Sequence, residues 1–248
     1  MILRDKITTS GRLLKLIDFE KNLINEKRNQ IKSLMKDTEE GVQRYKLTND
    51  EVIANIKGTI NVLSEEVLVA TYTAGYSIEK FKEEYLKYFD SLIPVWQSNS
   101  GYDAMLWSLS IGILLEIDEV TFNQLVDLVK KDDPEDYLID YLIKSRHPEW
   151  KIRINYNFPI PYGFTRNIIE EENAEHALKL LKEYLTNKWY QGSRDVGWYD
   201  LHKQNVKNHV GYWSFESGAL CKLKGLDYKE LEGIPYFPYD LVKEGPEA

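Results

Sequence analysis

Ile53, Ile56, Ile60, Leu63 and Val67 step along the chain by three and four positions without a miss. On a strand that spacing would scatter them over both faces, whereas on an α-helix it gathers them on one, so the segment reads as an amphipathic helix. Thr48 and Glu51 stand ahead of it as a capping box. The same rhythm recurs to about residue 145. Leu13, Ile17, Ile24, Ile31 and Leu34 mark a first long helix, with Glu20, Lys21, Lys27 and Arg28 between them. Ile78, Phe81, Tyr85, Tyr88 and Leu92 mark a third, which Pro94 stops. Residues 105–117 are apolar on nearly every side and predict a buried central helix. Phe122, Leu125, Val126 and Val129 give a short fifth helix. Asp133 followed by Pro134 reads as an acidic cap and a first-turn proline before a sixth, over residues 137–144.

The pattern shifts near residue 146. Pro148, Pro159, Pro161 and Gly163 fall among aromatics and predict an ordered loop over 146–166, separating an N-terminal helical region (1–145) from a C-terminal one (146–248). Ala174, Ala177, Leu178, Leu181 and Leu185 then line a helix face behind the acidic start Glu170, Glu171 and Glu172. A last sizeable helix is expected over 212–223, ended by Gly225. The aromatic run from Pro235 to Leu241 reads as an extended tail docked on the body. No β-alternation and no repeat appears, so the expected fold is all-α: a bundle-like array of two helical halves packed together, with an aromatic-rich C-terminal tail.

Composition narrows the function. The chain of 248 residues has 32 basic and 40 acidic side chains, a net charge of −8. Nucleic-acid binders draw their affinity from Lys and Arg on phosphates, so this balance argues against a nucleic-acid partner and equally against an anionic membrane surface. Cys221 is the only cysteine, which excludes an intramolecular disulfide and a cysteine-based zinc cluster. The first residues lack the apolar core of a signal peptide, and 105–117 is too short to span a bilayer. A cytoplasmic protein is expected, with no oligomeric state specified.

Chemistry is sparse. There is no glycine-rich phosphate loop, no nucleophile elbow and no His-Glu-x-x-His pair. His202 and His209 are seven apart, with Glu216 seven further on, a spacing that metal ligands on one helix face can have. Gly211 interrupts that stretch, and hydrogen bonding around an aromatic core explains the three residues better. His176 with Glu172 reads as a surface i,i+4 pair, and Cys221, on an apolar face, as a buried thiol. The expectation is no cofactor, no metal and no catalysis.

One stretch is more specific. Trp198, Tyr199, Asp200, Leu201, His202 and Lys203 are followed by Gly211, Tyr212, Trp213, Ser214, Phe215, Glu216, Ser217 and Gly218. Asp227, Leu231, Pro235, Tyr236, Phe237, Pro238, Tyr239 and Asp240 complete it. This resembles the C-terminal signature of the PoNi family of bacterial immunity proteins, and the start at Leu3, Arg4, Asp5 and Lys6 resembles the family's N-terminal part. Tyr228 departs from the family pattern, which commonly places a second acidic residue after Asp227. The resemblance implies a non-catalytic protein that binds and blocks a PoNe-type DNase toxin, one of the polymorphic toxins delivered by secretion systems. Read from the residues, a signature of glycine, proline and aromatics describes packing, so Gly211, Trp213, Phe215, Pro235, Pro238 and Tyr239 are expected to be structural.

A DNase must hold a polyanion, so its cleft is basic and an acidic inhibitor complements it. The contacts expected on that ground are Glu170, Glu171 and Glu172, and Asp132, Asp133, Glu135 and Asp136. The competing readings are a helical enzyme using His202, His209 and Glu216 as a metal or acid–base group, and a helical scaffold unrelated to toxins.

Overall fold

A computed structural model describes residues 2–204 and 209–244. Among them there are helices and connections and no strand. The chain forms two compact units; one runs to Val95 and takes back the stretch from His202 to Gly211, and the other holds the rest. The first of these units thus ends at residue 95 before its return stretch. Packing sets a unit, and the apolar helix expected over 105–117 packs with later elements.

The first unit is built on three helices, α1 (Ser10–Glu39), α2 (Asn49–Thr73) and α3 (Ile78–Leu92). Thr9 caps α1, Ser77 caps α3, and Thr48 with Glu51 forms the capping box of α2. Leu13, Ile17, Ile24 and Leu34 of α1 meet Ile56, Ile60, Val67 and Ala70 of α2. The N-terminal segment lies on the end of α2: Arg4 donates to the carbonyls of Tyr72 (2.6 Å) and Tyr76 (3.0 Å) and stacks over the Tyr72 ring. Gly75, at φ +81°, makes this possible, because a Cβ there would sit 1.9 Å from the Ile2 carbonyl oxygen.

The second unit surrounds α4 (Tyr102–Leu114), whose Met105, Leu106, Leu109, Ile111 and Leu114 are all fully buried. Against it pack α5 (Glu119–Asp132), α6 (Tyr137–Lys144) and a later helix that follows a run of short elements. These are α7 (Pro159–Tyr162), α8 (Thr165–Glu170) and α9 (Ala174–Glu183), which continues through a π-helical turn (Tyr184–Trp189) into α10 (Tyr190–Gly192). After the stretch that returns to the first unit, which includes most of a short α11 (Leu201–Gln204), comes α12 (Phe215–Leu223), the helix that lies on α4. Gly218 allows the approach on α12: a Cβ there would meet Pro238 at 2.7 Å and Leu114 at 3.1 Å.

Two local expectations change. The sixth helix spans Tyr137–Lys144 as expected, but its cap is Asp136, which accepts from the Leu138 and Ile139 amides, and not Asp133, which ends α5 in the left-handed conformation. The last sizeable helix begins at Phe215, after Ser214, whose amide donates to the Tyr236 carbonyl (2.9 Å). The C-terminal tail is docked, with Phe237 and Leu241 buried, and after a 3₁₀ turn (Tyr228–Leu231) it closes on a short α13 (Tyr239–Lys243). No helix among the described residues is long and apolar enough to cross a membrane.

Candidate partner-binding surface

The two acidic clusters expected as contacts are both in the second unit. Asp132, Asp133 and Glu135 are exposed on the turn between α5 and α6. Asp133 and Glu135 stand at φ +44° and +46°, a region that side chains with a Cβ rarely adopt. Asp132 accepts the Ser98 amide at 2.5 Å, and hydrogen bonding from the Ser98 hydroxyl first and then this amide holds its carboxyl below the usual range. Asp133 pairs with Arg153. Asp136 differs: it is wholly buried, so no partner can reach it. Besides capping α6 it accepts from the Tyr102 hydroxyl (3.2 Å) and the Asn157 amide (2.8 Å), and burial raises its pKa against those bonds.

Glu170 is exposed at the end of α8 and accepts from Tyr137 at 3.3 Å. Glu171 accepts the Asn173 amide (2.9 Å) and is the partner of His176, the role expected of Glu172. The helix cap there is Asn173, so the three glutamates precede α9 without capping it. Glu172 is exposed.

Between these clusters runs the segment that composition marked as a loop, and two buried carboxylates fasten it. Asp140, fully buried, accepts from Trp150 Nε1 (2.8 Å) and from Arg153 through its amide (2.8 Å), Nε and Nη2 (both 2.7 Å). Asp136 holds Asn157 as described, Asn157 Nδ2 reaches the Pro134 carbonyl (2.6 Å), and the Tyr137 amide donates to the Asn155 carbonyl (2.7 Å). Arg166 lies over the rings of Tyr137 and Tyr156 and donates to the Ile154 carbonyl. The role of Asp140 was signalled by its place in the apolar run from Tyr137 to Ile143, where a charge needs partners.

Most of the signature residues pack. Trp198 stacks on Trp189 (5.2 Å between centroids), and Tyr190 touches Tyr199, Tyr212 and Tyr236 while donating to Asp200 at 2.6 Å. Phe215 meets Trp107 edge-on at 5.4 Å, and Trp213 is buried beside it in sequence. Glu216 is fully buried and accepts from Ser214 (2.6 Å) and Tyr184 (2.9 Å). Burial pushes its pKa up to about 7 against those hydrogen bonds. Asp227 caps the 3₁₀ turn by accepting the Lys229 amide, so Tyr228 in place of an acid leaves the cap intact. Pro238 packs on Gly218 and Tyr239 on Tyr228, while Pro235 and Lys203 are exposed. Gly211 takes φ +130°.

The histidines follow a plan that sequence spacing did not show. Within the first unit His209 is buried and its Nε2 meets Asp5 at 2.5 Å, across 204 positions of chain; the His202 ring lies 5.8 Å away. Among the described residues no group of three His, Cys, Asp or Glu side chains is placed to hold a metal ion. Cys221 is fully buried and its pKa is pushed up to about 12 by that burial. Also in the first unit, Glu84 is buried and bound by Lys21 (2.8 Å) and Lys87 (3.0 Å). Glu20 is buried against Glu66, and burial with that neighbour raises its pKa far above the carboxylate range.

Comparison with known proteins covers most of the chain. The family model described as PoNe immunity protein (PoNi), N-terminal, matches residues 4–127. The model described as PoNe immunity proteins (PoNi), C-terminal, matches residues 134–241. No curated protein matches. Among solved structures, protein PA2201 from Pseudomonas aeruginosa is similar in fold, with a TM-score of 0.60 at 17% identity over 98% of both chains.

Proposed function

The chain belongs to the PoNe immunity protein family, and from that premise we propose that it binds and neutralises a cognate PoNe-type DNase toxin in the cytoplasm without catalysing a reaction itself. The observation that carries this is the span of the two family matches, 4–127 and 134–241. The net charge of −8 supports it, since an acidic protein complements a cleft built to hold DNA. The contacts we assign are Asp132, Asp133 and Glu135 with Glu170, Glu171 and Glu172; Asp136 is left out because it is buried. The enzymatic alternative loses support from the employment of its residues: His209 is committed to Asp5, and Glu216 to Ser214 and Tyr184.

Co-expression with the toxin encoded beside this gene tests the proposal. Growth should be rescued and the two proteins should co-purify in equal amounts. Rescue without a complex would point instead to an enzymatic defence, and neither rescue nor complex would remove the immunity function.

A further inference from the structure

Large apolar side chains stand out of the second unit within a few positions of one another. Ile154, Phe158 and Ile160 are 77, 50 and 65% exposed. Scattered exposed hydrophobics are ordinary, but a run of them on a fastened segment is a mark of a contact surface. This segment is fastened. The backbone of Arg153, Asn155 and Asn157 is tied inward to Asp140, Tyr137 and Asp136, and Tyr156 packs on the Tyr137 ring, while Ile154 and Phe158 stand outward beside these tied positions. A surface held this way loses little conformational entropy when a partner covers it.

Its edges are acidic. Asn157 binds the Pro134 carbonyl, so Phe158 follows directly on the contact with the turn that carries Asp132, Asp133 and Glu135. On the other side Arg166 joins Ile154 to the helix that ends in Glu170. Both arginines nearest these side chains are engaged within the unit, Arg153 with Asp133 and Asp140 and Arg166 over two tyrosine rings, and Lys151 is the exposed cation of the segment. An apolar centre with a charged rim is the usual anatomy of a protein–protein interface, and here the rim is negative.

Resting on the immunity reading above, we infer that Ile154, Phe158 and Ile160 are the apolar centre of the toxin-binding surface, rimmed by Asp132, Asp133, Glu135 and Glu170. The occupant is the nuclease domain of the toxin, whose basic surface the acidic rim complements. The centre sets how long the complex lasts, and the rim sets how fast it forms and which nuclease fits.

The test is calorimetric titration of the full chain with the neighbouring toxin, inactivated at its nuclease site. Phe158→Ser with Ile160→Ser should weaken binding about a hundredfold. Phe158 touches the Tyr102 ring, so a second variant guards against a folding defect. Ile154→Asp, at the most exposed of the three, should weaken binding at least about tenfold with an unchanged melting temperature. Val62→Ser and Val120→Ser, at exposed positions elsewhere, should bind as the parent does. If the parent binds and the Phe158, Ile160 and Ile154 variants bind equally well, this surface assignment is wrong and the immunity function stands. If the parent itself does not bind, both fall. If the variants instead turn a dimeric parent into a monomer with toxin affinity unchanged, the patch is a self-contact and the assignment is overturned.

Discussion

Glu216 carries its titration into the range of ordinary buffers. The side chain is wholly enclosed, its pKa is raised from 4.5 to about 7, and burial is the main cause. A carboxyl whose pKa is higher folded than unfolded keeps its proton longer in the native state. Its contribution is therefore complete below pH 4.5 and is lost as pH rises through about 7. The shift corresponds to roughly 3 kcal/mol across that interval, as an order of magnitude. Urea unfolding in steps from pH 5 to 8 should show stability falling with pH, and Glu216→Gln should flatten that slope. A slope unchanged in the Gln variant would assign the dependence to another group, Glu20 first, whose shift has the same sign. Gly75 gives a second residue-scale expectation. Gly75→Ala would force a strained φ and collide with the Ile2 carbonyl. It should lower the unfolding free energy by about 2 kcal/mol or more in chemical denaturation, most of it by lifting the Arg4 segment from the end of α2.

At the level of elements, α12 and the turn into α6 are the points where one change should cost most. Phe215 is fully buried, and Phe215→Ala should destabilise by about 3–5 kcal/mol in equilibrium unfolding. Trp213→Ala should act in the same direction; wild-type melting temperatures for both would refute the packing role of the signature. Asp136→Ala removes a helix cap and the anchor of Asn157 together, and should cost about 2–4 kcal/mol. The early helices were legible because their apolar residues keep the period of a helix face. Even there one residue was misread: Glu20 follows Ile17 by three and precedes Ile24 by four, so it belongs to the buried face it was thought to separate. The segment after residue 146 was legible only as a loop. Its shape depends on Asp136 and Asp140, whose partners in the segment lie 10 to 21 positions away, and no local period encodes such bonds. For the same reason the acidic clusters could be named from sequence, but Ile154, Phe158 and Ile160 could not be told from core residues.

For the whole molecule, charge should govern encounter. With a net charge of −8, association with a basic nuclease should slow as salt rises, since screening acts over about 10 Å at 0.1 M. Reversing Glu170, Glu171 and Glu172 should lower the association rate more than it raises dissociation. Stopped-flow mixing across a salt series reads both, and a salt-independent association rate would show that the charge balance has no part in finding the toxin. The arrangement of the chain has a further consequence, for inheritance. Asp5 and His209 close the first unit although almost the whole sequence lies between them. A single genetic crossover anywhere in that interval gives a chimera whose two clasp residues come from different parents. Immunity genes of this kind can thus diversify freely on the surface between those points, while the clasp must be kept compatible across every parental pair that recombines.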